Sequence, residues 1–308
     1  MPERYRILSL DGGGIRGLLT SRLLERIEAA SPGFLGSIDL FAGTSTGAIL
    51  ALALASGRKP ARISKLYRDH GAEIFDQTLF DALGDVDKIV RADYDGAPLK
   101  RTLQDEFGNR RLGDLRRKVL VSAFDLDSGE PRGGVRSWKP KFFHNFVEAT
   151  DDRDQLLVDV AMRSCAAPTY FPVYQGFVDG GVVANNPSMC ALAQALHKPT
   201  GGQTPGKVVL LSLGTGANPR YLGADDESWG YVQWAPHFLS MMFEGPSGIA
   251  DFECQQILGA RYRRINPVLP EKIGLDAFDK CDDLEQLADG VDLRQLSRWV
   301  DHYFIASS

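Results

Sequence analysis

The chain has 308 residues, 44% of them hydrophobic, which is enough to bury a large core, and its net charge is −5. Acids and bases are dispersed along it, so nothing points to a nucleic-acid groove. The longest apolar stretch, Ala48–Ala55, is far shorter than the about 20 residues a membrane-spanning helix needs.

The segment Met1–Arg6 lacks the apolar core of a signal peptide and leads into a short strand, Tyr5–Leu10. That strand meets Asp11-Gly12-Gly13-Gly14-Ile15-Arg16-Gly17. A helix follows, its apolar positions Ile15, Leu19, Leu23 and Ile27 recurring every four residues, with Leu18 and Leu24 beside them. Glycines ahead of a helix leave backbone N–H groups unhindered and aimed at one point. Such a nest suits a phosphate or the oxyanion of an acyl-transfer intermediate. Gly12, Gly14 and Gly17 also satisfy G-x-G-x-x-G. The acidic residue that a dinucleotide site places at the end of the next strand is missing, however, and no Gly-Lys-Ser/Thr follows as in a P-loop. No cofactor is expected.

The next strand-like run, Ile38–Ala42, enters Gly43-Thr44-Ser45-Thr46-Gly47 and leaves as the helix-like Ala48–Ala55. A serine on a tight strand-to-helix turn is held with its hydroxyl exposed, and flanking glycines let the chain bend without Cβ collisions. Ser45 is therefore the candidate nucleophile. Lys118–Phe124 and Lys207–Leu213 are nearly continuous apolar runs, as in strands covered on both faces, and the helical patterns Leu156–Cys165 and Pro187–His197 lie between them. The chain thus reads as α/β, a mostly parallel central sheet flanked by helices on both faces. The glycine loop and Ser45 would then sit at the carboxyl ends of strands, where ligands gather. No linker, repeat or low-complexity tract divides the chain, so residues 1–308 are expected to form one domain. Thr200–Pro205 and Gly223–Gly230 read as surface loops.

Asp179 ends a short apolar stretch and is followed by Gly180 and Gly181, so its carboxylate can face an adjacent cavity; a turn aspartate bonding its own backbone is the plainer alternative. Asn186-Pro187 then reads as an N-cap and first helical proline. The five histidines, His70, His144, His197, His237 and His302, lack the context of a catalytic histidine turn, although three of them follow Asp179 in the order an α/β-hydrolase triad requires. Cys165, Cys190, Cys254 and Cys281 have no C-x-x-C spacing and read as reduced thiols of a cytoplasmic protein, not as metal ligands. The basic groups Arg110-Arg111, Arg116-Arg117-Lys118 and Arg261-Arg263-Arg264 read as solvated faces.

Three strings in this order, the Asp11–Gly17 loop, the Gly43–Gly47 elbow and Asp179-Gly180-Gly181, resemble the patatin-like phospholipases. The Arg163–Pro172 segment, Asn185-Asn186-Pro187 and Ala123–Gly129 fit the same family, and the resemblance covers roughly residues 5–215. It continues loosely into a C-terminal helical part, about 235–308, packed on that core. It implies a three-layer sandwich and a Ser45–Asp179 dyad that cleaves acyl esters without histidine or metal. Backbone N–H groups of Gly12, Gly13, Gly14 and Thr46 would hold the oxyanion. Asp11, Arg16, Gly17, Gly43, Gly47, Gly180 and Gly181 would support them, Arg16 as a positioning charge, a receiver for lipid phosphate or a solvated side chain. The implied substrate is a phospholipid or lysophospholipid met peripherally at a membrane surface, and some relatives need an activator. A Ser-His-Asp esterase and a non-catalytic binder of a phosphate or nucleotide ligand are the competing readings. Trp234–Phe243 and Phe75–Leu83 are the candidates for membrane contact, with core packing as the alternative, favoured reading for the first.

Overall fold

A computed structural model describes residues 4–74, 94–129, 135–147, 151–219 and 229–306. Phe75–Leu83 and most of the expected Gly223–Gly230 loop lie outside the described residues. The strands are β1 (Tyr5–Leu10), β2 (Leu40–Thr44), β3 (Lys118–Asp125), β4 (Lys139–His144), β5 (Phe177–Asp179), β6 (Val208–Leu213) and β7 (Tyr262–Ile265). The helices are α1 (Gly17–Ala30), α2 (Thr46–Ala55), α3 (Pro60–Ile74), α4 (Gly96–Phe107), α5 (Leu157–Cys165), α6 (Gly181–Ala184), α7 (Ser188–Leu196), α8 (Tyr231–Leu258), α9 (Cys281–Gly290) and α10 (Arg294–Val300). Among the described residues, no helix is long and apolar enough to cross a membrane.

The strands form one sheet in the order β4-β3-β2-β1-β6-β7, with β5 also pairing β3. The contacts β1–β2, β1–β6, β2–β3 and β6–β7 are parallel; β4 and β5 run antiparallel to β3. The sheet is mostly parallel, as the near-continuous apolar runs predicted. Alternate residues of each strand face opposite sides. Leu8, Leu10, Phe41, Val119, Val121 and Leu211 join a core with residues of α1–α5, α9 and α10, whereas Ile7, Leu40, Leu120 and Leu210 meet α7 and the end of α8. Burying both faces removes β2 and β6 from water along their whole length, which is why they show no polar alternation. Leu19, Leu23 and Ile27 of α1 are all buried as their spacing requires, but Ile15 lies earlier, in a 3-10 turn over Gly14–Arg16. C-terminal to the sheet, α9, α10 and a π-helical turn at Asp301–Ile305 match the helical character expected of Asp282–Phe304.

Main chain is packed closely where α2 leaves β2 and crosses β1. A Cβ on Gly43 would stand 2.1 Å from the Gly47 carbonyl oxygen, and one on Gly47 2.2 Å from that of Leu10. Backbone touches backbone there, so no rotamer change relieves a substitution. Gly36, by contrast, has nothing within 4 Å of such an atom. Overpacking costs about 1–3 kcal/mol, occasionally more. Gly47→Ala should therefore lower the melting temperature by about 5 °C or more, while Gly36→Ala leaves it within about 1 °C, read by circular dichroism.

Candidate active site

A cavity of about 640 Å³ opens at the carboxyl ends of β1, β2, β6 and β7, with Gly12–Gly14, Ser45, Asp179, Thr215 and Asn266 among its walls. Ser45 directly follows β2 and holds φ 54° and ψ −124°, a conformation that a side chain rarely adopts. Strain of that kind costs about 1–3 kcal/mol and persists only where the surroundings enforce it. Here Ser164 at the end of α5 enforces it. Its hydroxyl accepts the Ser45 N–H at 2.8 Å and donates to the Ser122 carbonyl at 2.7 Å, pinning the turn to β3. The Thr44 side chain adds a bond to the Ala184 carbonyl at 2.6 Å.

The glycine loop lies against this elbow, since a Cβ on Gly12 would sit 3.2 Å from that of Ser45. Of its three amides, Gly12 N–H is committed to the Asn185 carbonyl at 3.0 Å, and Gly12 O accepts from Thr215 Oγ1 at 2.9 Å. The expected nest of Gly12, Gly13 and Gly14 therefore loses one member. No acceptor among the described residues takes the Gly13 or Gly14 N–H, and Gly14 turns the chain with φ 57°. Thr46 N–H opens α2, where no preceding turn supplies it a carbonyl. Thr46 is fixed besides by a short bond between its hydroxyl and that of Tyr67.

Asp179 arrives on β5, the antiparallel strand that pairs with the end of β3. Its carboxylate is buried beside the Ser45 side chain and accepts the Gly181 N–H at 2.6 Å. Both neighbours favour the charged form, but burial outweighs them and pushes its pKa up to about 7. Part of that dryness comes from Phe243 of α8, whose ring packs so close that a Cβ on Gly181 would lie 2.6 Å from it. Cys165 is buried close to Ser45 and Asp179, and burial next to the Asp179 charge drives its pKa well above the usual thiol range. It is a protonated neighbour; none of the four cysteines is in a disulfide.

Of two arginines at the site, Arg16 takes one of the roles offered for it and Arg264 departs from what its sequence context suggested. Arg16 is buried, its guanidinium donating to the carbonyls of Gly13 at 3.4 Å and Gly216 at 3.3 Å, so it is a brace for the loop and not a solvated side chain. Arg264 belongs to no solvated face. It pairs with buried Asp11 at 2.5 and 3.2 Å and donates to Ser212 at 2.7 Å. Burial lifts the Asp11 carboxyl above its ordinary range, and the Arg264 charge opposes that rise. Helix α7 starts at Ser188, one residue past Pro187, because the Asn186 side chain caps it by accepting the Ser188 N–H at 3.1 Å and its hydroxyl at 2.6 Å.

None of the five histidines lines the cavity. His70 faces Glu73, His197 bonds Thr200, His237 stacks on Trp229, His144 is buried at the end of β4, and His302 lies in the C-terminal π-helical turn. Among the described residues, no group of three His, Cys, Asp or Glu side chains is placed to hold a metal ion. The roles of Ser164, Thr215 and Arg264 escaped the sequence reading, and Asn185 was read only as part of a motif. For Ser164 a signal existed, in the Arg163–Pro172 segment; for Arg264 there was none, because its partner lies 253 residues away.

A strained serine between strand and helix shares a cavity with a buried aspartate and a glycine loop, and comparison with known proteins gives the family. The family profile for patatin-like phospholipases matches residues 8–192. The chain belongs to that family. It is 30% identical to the protein teg of Priestia megaterium, covering 87% of this chain and 89% of that one. It is likewise 30% identical to the putative sporulation hydrolase CotR of Bacillus subtilis, over 87% and 88% of the two chains. A cGAMP-activated phospholipase of Pseudomonas aeruginosa is 30% identical over 85% of this chain and 78% of its own.

The buried carboxylate carries a stability cost with a defined sign. Its pKa rises from 3.8 to about 7 on folding, so the folded state holds the proton more tightly. The stability that the proton supplies is complete below about pH 4 and is lost as pH rises through about 7. Asp179→Asn carries no charge at any pH. It should melt above wild type at pH 8, by an amount worth up to about 4 kcal/mol at about 1.4 kcal/mol per pH unit, with no such advantage at pH 4. Thermal melts at the two pH values check this.

Proposed function

We propose that the chain is a lipid acyl hydrolase of the phospholipase A or lysophospholipase type, carried by one domain over residues 1–308. The placement of Ser45 beside buried Asp179, in one cavity with the glycine loop, carries the reading. Ser45 Oγ attacks the ester carbonyl carbon while Asp179 takes the hydroxyl proton. The carbonyl oxygen, now an oxyanion, accepts N–H groups of Gly13, Gly14 and Thr46. Collapse breaks the bond to the alcohol, which leaves with the proton from Asp179, and an acyl-Ser45 ester remains. Asp179 then deprotonates a water that attacks this ester, releasing the fatty acid and restoring Ser45. An ordinary aspartate is too weak a base at neutral pH, but one near 7 matches the operating range of a general base.

The cavity supports a long acyl chain as the reacting group. Its lining includes Ile49, Leu66, Ile74, Leu99 and Phe171, which share one apolar cluster and would form a slot, and the polar Arg16, Asn218, Arg264, Asn266 and Lys272. Ester carbon at Ser45, chain in the slot and head group toward the polar residues is the orientation this lining favours. The proposed setting is cytoplasmic, with peripheral contact to membranes. Activation by a small molecule enters only through the Pseudomonas relative, whose name calls it cGAMP-activated, so assays are run with and without that nucleotide.

Wild type should be labelled at Ser45 by a fluorophosphonate and should release fatty acid from mixed phospholipids, read by lipid mass spectrometry. Ser45→Ala and Asp179→Asn should each lose at least about 10³-fold in kcat. Full activity in Ser45→Ala would favour a binder that uses the nest for a phosphate group. In wild type, kcat/KM should rise with pH through an apparent pKa of about 7, since only ionised Asp179 accepts the proton.

The slot makes a separate prediction. Leu99→Trp should leave turnover of a four-carbon acyl ester within about two-fold and lower that of a sixteen-carbon ester by about ten-fold or more, because only the longer chain reaches the filled space.

A further inference from the structure

Helix α8 breaks the usual rule for surface helices, which place apolar side chains on the inner face and polar ones outside. At 100° per residue, Leu239, Phe243, Ser247 and Asp251 point one way and line the cavity, continued by buried Ala250, Cys254 and Leu258. Phe238, Met241, Met242, Ile249 and Phe252 point the other way, and all of them are exposed, by 46, 49, 40, 60 and 65% respectively. The Trp234 ring stacks on Phe238 and extends the stripe by one turn. From Phe238 to Phe252 the stripe runs about 20 Å along the helix at 1.5 Å per residue. Scattered exposed apolar residues are ordinary; a continuous row of five is not. The sequence had favoured core packing for Trp234–Phe243, and the structure divides that segment, Phe243 packing inward and Phe238, Met241 and Met242 facing outward.

We infer that the outer face of α8 docks on a neutral, zwitterionic lipid surface and so holds the cavity against the bilayer that supplies the substrate. This rests on the acyl-hydrolase reading above. Two observations choose the occupant. First, α8 carries no lysine or arginine in 28 residues, while Glu244, Asp251 and Glu253 lie on it and the whole chain is at −5. An anionic membrane is therefore repelled, and attachment depends on inserted apolar side chains. Second, the wall of the cavity and the apolar row are opposite faces of one helix. A docked bilayer lies about one helix diameter, roughly 10 Å, from Phe243 and the buried carboxylate beneath it. A second protein copy seated on this face would bury the row but bring no substrate to the cavity it roofs.

The test uses Ser45→Ala protein, so that binding is read without hydrolysis. It should cosediment with phosphatidylcholine vesicles, more weakly with phosphatidylglycerol vesicles at low salt, and Met241→Glu with Phe252→Glu added should lower phosphatidylcholine partitioning at least ten-fold. Leucine at the same two positions should keep it. The glutamate pair placed in the Ser45-intact chain should hydrolyse a short water-soluble ester within about two-fold of the unsubstituted protein, which shows that it folds. Undiminished vesicle binding by the glutamate pair, or none by the parent, overturns the inference. So does tighter binding to phosphatidylglycerol. A wild-type dimer at micromolar concentration that the glutamate pair dissociates would assign the face to a second copy instead. Because binding is measured on an inert chain, loss of the hydrolase reading would appear separately, in the labelling of Ser45.

Discussion

A carboxylate withdrawn from water is unfavourable unless something fixed replaces its hydration, and Asp179 has for this the Gly181 N–H and the neighbouring Ser45 side chain. They do not fully compensate, which is why its proton affinity rises. The site therefore rests on a deliberate imbalance. A better-solvated aspartate would stabilise the fold and be a weaker base; a drier one would stay protonated. Every element around it works on that balance, from the Phe243 ring above to the Ser164 hydroxyl that keeps Ser45 within reach of it.

The backbone geometry follows from the same need for closeness. Parallel strands end at one edge of the sheet, so the turns after β1, β2, β6 and β7 meet there without long excursions. Asp179 comes from a different direction, on an antiparallel strand laid along β3, and this is how a residue 134 positions from Ser45 reaches the same edge. The cost is crowding of main chain on main chain at Gly43 and Gly47, and an unfavourable φ at Ser45. Binding of Gly12 to Asn185, and of Arg16 to the Gly13 and Gly216 carbonyls, then fixes the loop that shares the cavity with the serine.

Much of this was legible in the amino-acid order because it is local. Strand, glycine loop and helix are contiguous at the amino terminus, and so are β2, Ser45 and α2; periodicity and turn chemistry suffice to find them. The mostly parallel sheet followed from runs with no polar alternation. What could not be read depends on contacts between distant segments. Arg264 looked like one of a cluster of solvent cations until its pairing with Asp11 was seen, and the commitment of the Gly12 amide depends on a carbonyl 173 residues away. The outward row on α8 was ambiguous for another reason. Apolar side chains on both sides of a helix predict burial on both sides, and only the packing reveals that one side is exposed.

The order of strands bears on how a ribosome must make this molecule. β1 is synthesised first and sits near the middle of the sheet, between β2 and β6. Its second edge stays unpaired until Val208–Leu213 has emerged, some two hundred residues after Leu10. A nascent chain carrying β1, β2 and β3 alone thus presents an apolar, hydrogen-bond-hungry border to whatever lies nearby. Holding that border apart from other chains during elongation is a task for the cell's folding machinery, and it ends only when the sixth strand slides into place.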